Sequence, residues 1–231
     1  MLKTLFFTLL LHLGWVDKQA PWIQKVNPRE LAQTAMMPKM PSVMVNLQQE
    51  TPELAKTVWK TVQPGFPGPL WQQAAKAHGI DPVLLYSVAL FESGRHDDKN
   101  KVGPWPYALH FNQANVSIYA LSAKEARFVL ANVTTDNVDI GLGQVNYKSW
   151  KHLVRCPEDL LDPKINLTVA SQVLAEAMKS TPDPELRVGR YHSWTEWRAR
   201  AYGRKVLVIY HSLKAFVEKQ EVLAQAQPPQ G

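Results

Sequence analysis

The chain has a single cysteine, Cys156, among its 231 residues, so it cannot form an intramolecular disulfide. No Cys/His set at zinc spacing accompanies it. A reactive thiol needs a base nearby. The surroundings Leu153-Val-Arg-Cys-Pro157 supply none, and Cys156 reads as a small buried hydrophobe. No apolar run reaches the ~20 residues that a membrane-spanning helix requires. Internal repeats are absent, as is low complexity beyond a proline bias. The net charge is +6 and the pI about 9.3, which fits an anionic partner. Yet there is no recognition-helix pattern or nucleic-acid motif. Nucleic acid is therefore not expected as a partner, and Arg198, Arg200, Arg204 and Lys205 read as a solvated helix face.

What is present divides the chain into four parts. Residues 1–20 open Met-Leu-Lys and run from Leu5 to Val16 with only Thr8 and His12 as polar breaks. A basic start and an apolar stretch of about a dozen residues suit a secretory signal or an uncleaved anchor. A buried N-terminal helix is the other reading. Ala20 is the candidate cleavage residue, with Lys18 an awkward neighbour at the −3 position. Export implies the periplasm or envelope of a bacterium, with membrane contact only through this segment. Residues 21–69 carry Pro21, Pro28, Pro38, Pro41, Pro52, Pro64, Pro67 and Pro69, and read as a linker. The folded domain is expected over 70–219 and a disordered tail over 220–231.

Within that domain the strongest signal is Asp81-Pro-Val-Leu-Leu-Tyr-Ser-Val-Ala-Leu-Phe-Glu92-Ser93-Gly94. Asp81 is a good N-cap, and Pro82 suits the first helical position. A helix apolar on all sides belongs in a core, and Gly94 suits a C′ position, where the helix should stop. Glu92 then sits on the last turn, where burial and the helix dipole both favour its neutral form. A carboxylic acid kept protonated near neutral pH is a candidate general acid.

Leu70 to His78 reads as a short amphipathic helix, and Arg95 to Gly103 as a loop. Pro104–Asn112 and Val116–Leu121 read as two strands. Ser122-Ala-Lys-Glu125 is a capping box. Asn132 to Asp139 reads as a turn-rich loop, Asn166 as the cap of a helix reaching Lys179, and Thr195–Glu218 as the last helix. Trp105 and Tyr107 are candidates to stack on sugar rings or to fill the core.

Four features occur in order: Glu92-Ser93, Gly141-Leu142-Gly143-Gln144, Asp162-Pro163 before the helix assigned to Asn166, and Tyr191. Together they resemble the family 1 lytic transglycosylases, the soluble-lytic-transglycosylase-like branch of the lysozyme superfamily, over roughly residues 70–217. Gly143 stands where that family usually has Met, and His192 where it usually has Asn. The insertion Pro104-Trp-Pro-Tyr-Ala-Leu109 and the ending Ala201-Tyr-Gly-Arg-Lys-Val-Leu207 are similar to transglycosylase-like proteins of conjugative type IV secretion in integrating elements.

The resemblance implies a mainly α (α+β), lysozyme-like helical domain with a small β-hairpin insertion. It implies cleavage of peptidoglycan glycan strands with no cofactor and no metal, and secretion or conjugation machinery as further partners. Glu92 would be the acid. Ser93 would contact substrate or orient Glu92, with a helix-end hydroxyl bonded to backbone as its plainer reading. Gly141 and Gly143 would let backbone approach the sugar, with Leu142 in the same substrate-binding segment, and Gln144 would bond an acetamido or hydroxyl group. Tyr191 would hold Glu92 in place, with His192 donating a hydrogen bond beside it. Asp139 is the candidate second carboxylate, with a turn residue as its plainer reading. If it faces Glu92, hydrolysis of the lysozyme type is the alternative. A non-catalytic glycan-binding scaffold is the third reading.

Overall fold

The computed structural model describes residues 66–96 and 102–225. The signal or anchor at 1–20, nearly all of the linker at 21–69 and the tail beyond Gln225 lie outside the described residues. Helix α1 (Pro69–Lys76) leads into α2 (Pro82–Ser93). Asp81 caps α2 as expected, its carboxylate accepting from Val83 N at 2.8 Å. Leu85, Val88 and Leu90 are fully buried. Burying a Leu or Val side chain contributes about 1.5–3 kcal/mol, so α2 is held along its whole length.

Two antiparallel sheets follow. Strands β1 (Gly94–His96) and β2 (Val102–Pro104) pair where a loop was expected. Helix α2 stops at Gly94 as expected, with Gly94 in an extended conformation. Its φ of −59° and ψ of 132° start the strand directly from α2. The second sheet has the order β4-β3-β5-β6, built from β3 (Ala108–Phe111), β4 (Val116–Tyr119), β5 (Val138–Ile140) and β6 (Val145–Asn146). Of these, β3 and β4 are the expected hairpin, while β5 lies at the end of the predicted turn-rich loop. Helix α3 (Ala123–Asn132) sits between β4 and β5. Its Ser122 hydroxyl accepts from Glu125 N at 3.2 Å, while Glu125 reaches back one residue further than a capping box requires, to Leu121 N at 2.7 Å.

The remaining helices are α4 (Tyr147–Trp150), α5 (Pro163–Met178), α6 (Pro184–Gly189) and the 30-residue α7 (Glu196–Gln225), with 3₁₀ turns at Lys151–Leu153 and Pro157–Leu161. Cys156, just before the second turn, is half-buried rather than buried, and burial raises its thiol above the ordinary range. The N-cap of α5 is Asp162, which accepts from Lys164 N and Ile165 N. Asn166 is one turn inside the helix and does other work, described below. Helix α7 runs past the expected end at Glu218.

Helix α7 packs on α2 through an apolar stripe: Tyr202, Val206, Ile209 and Leu213 are all buried. Lys214 Nζ and the Tyr210 hydroxyl both reach the Asp81 carboxylate, at 3.0 and 3.1 Å, so the residue that starts α2 also anchors α7. The basic face of α7 is not simply solvated. Arg200 bonds Asp183 at 2.7 Å and Arg204 bonds Glu185 at 3.1 Å, tying α7 to the N-terminus of α6. Backbones of α6 and α7 meet closely, and a Cβ on Gly203 would lie 1.9 Å from the Glu185 carbonyl oxygen. Among the described residues, no helix is long and apolar enough to cross a membrane.

Candidate active site

Because α2 is locked in the core and α7 crosses it, the last turn of α2 meets the first third of α7. There Tyr202 donates its hydroxyl to Glu92 Oε1 at 2.7 Å. The Tyr202 ring is held between Phe91, edge-on at 5.0 Å, and His192, stacked at 4.9 Å with ring planes 1° apart. Glu92 lines a cleft of about 910 Å³ with His110, Asp139, Gln144, Tyr191 and His192 among its other walls. Burial pushes the Glu92 carboxyl up to about 8; the Tyr202 hydrogen bond pulls it down, and the negative charge of Asp139 pushes it up further. It is therefore a protonated acid at neutral pH.

Part of the cleft lining is one row of polar side chains across the larger sheet. Strand pairing sets Ser117 opposite His110, His110 opposite Asp139, and Asp139 opposite Asn146. Side chains in register share a face, and all four line the cleft. Their strand neighbours Leu109, Phe111, Val138 and Ile140 point the other way into the core. The row is bonded internally: His110 Nδ1 lies 2.9 Å from the Ser117 hydroxyl. Asp139 accepts from Asn146 Nδ2 at 2.7 Å on one oxygen and from Asn112 Nδ2 at 3.0 Å on the other. Burial raises the Asp139 carboxyl, with the two asparagine amides opposing the shift. Asp139 thus lines the same cleft as Glu92 and sits on strand β5, not in a turn.

The Gly141–Gln144 segment is a tight turn between β5 and β6. Gly141 has φ +77°, and a Cβ there would lie 2.4 Å from Asn166 Nδ2, so only glycine fits. Asn166, 1% exposed, clamps the turn from inside α5. Its Oδ1 accepts from Gly143 N at 2.9 Å, and its Nδ2 donates to the carbonyls of Ile140 and Leu160, both at 2.8 Å. The Tyr191 hydroxyl donates to the Gly143 carbonyl at 2.6 Å. A Cβ on Gly143 would meet Ala170 Cβ at 2.7 Å and that hydroxyl at 2.8 Å. The structure thereby accounts for glycine at the position where the resembling family has Met.

Several expected roles change. Tyr191 supports the Gly143 turn, and Tyr202 is the tyrosine that holds Glu92. Ser93 is fully buried. Its hydroxyl donates to the Leu142 carbonyl at 2.7 Å and accepts from Trp105 N at 3.1 Å, so it joins α2 to the turn and does not face substrate. Leu142 is buried in the core. Gln144 lines the cleft, but its amide nitrogen donates to the carbonyls of Ala108 and Gly141. His192 is exposed at the cleft and braces Tyr202. Trp105 and Tyr107 are half-buried and do not line the cleft. Trp105 lies under the Arg95 guanidinium at 4.1 Å and donates Nε1 to the Ala120 carbonyl at 2.8 Å. Sequence reasoning missed His110, Asn112, Asn146 and Tyr202. The alternation Leu109-His-Phe111 and Val138-Asp-Ile140 was the available signal for the first and for Asp139.

Tyr202 is a positioning residue, and its removal has a readout distinct from simple loss of packing. Tyr202→Phe keeps the ring between Phe91 and His192 but removes the bond that favours ionised Glu92. The folded-state titration of Glu92 moves above about 8, and the alkaline limb of any activity that needs the protonated acid moves to higher pH. A pH–rate profile checks this; an alkaline limb that stays in place, or moves down, contradicts the assignment.

Residues 106–206 match the family model of the transglycosylase SLT domain. No curated protein and no solved structure matches the chain. The matched span holds Asp139, the Gly141–Gln144 turn, Tyr191 and Tyr202. It stops short of α2, so it is the fold that brings Glu92 to them. The architecture is the expected one: mainly helical and lysozyme-like, with small antiparallel sheets.

Proposed function

We propose that this protein is a peptidoglycan lytic transglycosylase that cleaves the β-1,4 bond between N-acetylmuramic acid and N-acetylglucosamine. The observation that carries the reading is Glu92: a protonated carboxyl fixed by Tyr202 at the wall of a cleft bounded by the SLT-matched segment. Tyr202 occupies Oε1, leaving Oε2 as the oxygen that carries the proton. In the reaction Glu92 gives that proton to the glycosidic oxygen as the C1–O bond breaks, releasing the N-acetylglucosamine hydroxyl. Glu92, now a carboxylate, accepts the proton of the muramic acid C6 hydroxyl. O6 bonds to C1, and the product is a 1,6-anhydro sugar with Glu92 reprotonated. Water and an enzyme nucleophile are not consumed.

Asp139 supports a second reading. Two carboxylates in one cleft are the equipment of a glycoside hydrolase, and the negative charge of Asp139 is felt at Glu92. With Asp139 as base or charge stabiliser, water would take the place of O6 and the outcome would be lysozyme-type hydrolysis. Mass spectrometry of products from purified sacculi separates the readings. Anhydromuropeptides, lighter by one water, are the expected result. Reducing-end muropeptides would replace the lyase with the hydrolase, and intact sacculi that still bind the protein would leave a scaffold.

The place of action proposed is the bacterial envelope, reached through the N-terminal signal or anchor. The proposed role is opening of the wall for a secretion or conjugation apparatus. The support for these is the apolar N-terminus and the resemblance of Pro104–Leu109 and Ala201–Leu207 to proteins of such systems.

A further inference from the structure

Two tryptophans stand out among the exposed large hydrophobics. Trp194 is 69% exposed and Trp197 68%, in a molecule whose other large apolar side chains mostly fill the core. Indole is costly to leave in water, and an exposed aromatic beside a binding cleft invites a ligand with an apolar face. The two are closely matched. They lie three residues apart where α6 passes into α7, and each has a guanidinium over its ring: Arg190 over Trp194 at 5.1 Å, Arg198 over Trp197 at 5.2 Å. They differ in place. Trp194 lines the cleft that contains Glu92; Trp197 does not.

Arg190 fixes the geometry on the cleft side. It follows the last residue of α6, its Nη1 donates to the Ser180 carbonyl at 3.0 Å, and it too lines the cleft. A guanidinium stacked on indole is attracted by the face of the ring even at an exposed site, which biases the ring towards one orientation. Trp194 is not one of the side chains that make up the hydrophobic core. It lies two residues beyond His192, which stacks on Tyr202, the residue bonded to Glu92, and it lines the same cleft.

We infer that Trp194 is a remote subsite for the glycan strand, its indole stacking on the apolar C–H face of a pyranose away from the bond being cleaved, with Arg190 as its positioning residue. The inference rests on the peptidoglycan reading of the cleft. Binding held at a distance from the reacting bond secures a polymer without touching the acid, so its loss weakens capture and spares the chemical step.

The test measures binding separately from catalysis. Co-sedimentation with purified sacculi and with amidase-treated, peptide-free glycan strands is compared for Glu92→Gln and for Glu92→Gln carrying Trp194→Ala or Trp197→Ala. Trp194→Ala is expected to weaken binding to both polymers about tenfold, the equivalent of ~1.4 kcal/mol, while Trp197→Ala binds as the parent. In the active enzyme the same Trp194→Ala change falls on KM rather than kcat. Equal binding by the Trp194 and Trp197 variants overturns the subsite. A loss confined to peptide-bearing sacculi also overturns it, assigning Trp194 to the peptide. Failure of wild type to digest sacculi would count against the proposed activity alone, because the co-sedimentation comparison still decides the subsite.

Discussion

Glu92→Gln is expected to abolish turnover of sacculi, by about 10²–10⁴-fold for each proton transfer that depends on the acid, while leaving the fold more stable in alkali. The first part follows from the proposed mechanism, in which one group would serve twice: as acid to the leaving oxygen, then as base to O6. Gln has the shape of the protonated acid and accepts the Tyr202 hydroxyl, but it can neither give nor take the proton. The second part follows from linkage. The folded-state titration of Glu92 is raised from 4.5 to about 8, chiefly by burial, so between those values the folded protein binds a proton that the unfolded chain has released. Stability from this group is whole below about 4.5 and declines as pH rises through about 8. Gln does not ionise and escapes the decline. Thermal melts of wild type and variant should coincide near pH 4.5 and separate at pH 9, the variant melting higher. A variant that loses activity and melts lower at pH 9 would show that Glu92 is not held neutral by its surroundings.

The parts of this site legible in the sequence are those set by local chemistry. Asp81-Pro82 followed by an unbroken apolar run fixed where α2 begins and why it is buried, and the capping box at Ser122 marked α3. Gly141 and Gly143 were legible as backbone that must come close to something. What they approach was not, because Asn166 and Ala170 come from a helix some 25 residues on. Asn166 itself was misread for a physical reason. Asn is a good cap, but Asp162 with Pro163 next to it is a complete start, which frees Asn166 for the interior. Strand β5 has three residues, too few for a period-2 pattern to stand out from a loop, and with it went the alignment of His110, Asp139 and Asn146. Tyr202 sat unnoticed in the apolar stripe of α7, where a tyrosine reads as core. Only the crossing of α7 over α2 brings its hydroxyl to Glu92, and no spacing within one helix reports a crossing between two. Ser93 follows the plainer of its two readings: its neighbour Glu92 faces the cleft, while the next helical position turns about 100° away, where its hydroxyl bonds the Leu142 carbonyl.

Asn166→Ala should cost both the turn and the enzyme. The side chain satisfies three backbone groups in a dry interior: Gly143 N–H and the carbonyls of Ile140 and Leu160. A buried group left without a partner costs about 1–3 kcal/mol, and some recovery by water or relaxation is normal. A total of about 3–6 kcal/mol is then expected, a large share of the ~5–15 kcal/mol that holds a domain together. At ~2–4 °C per kcal/mol for a domain of this size, melting should fall by about 10–20 °C. Activity should fall even where the variant remains folded, because Gln144, at the end of the turn, lines the cleft. Asn166→Asp separates shape from hydrogen bonding. Its size is unchanged and one oxygen still accepts from Gly143 N, but the other faces two carbonyl oxygens with no proton to offer. At neutral pH it should be as damaging as Ala. Acidification supplies the missing proton, so the buried carboxyl is raised above its unfolded value and the variant regains stability as pH falls towards and below that value. Melting curves for both variants between pH 4 and pH 8 make the comparison. An Asp variant that melts with wild type at pH 8 would mean that Asn166 is a spacer and that the clamp on the turn lies elsewhere.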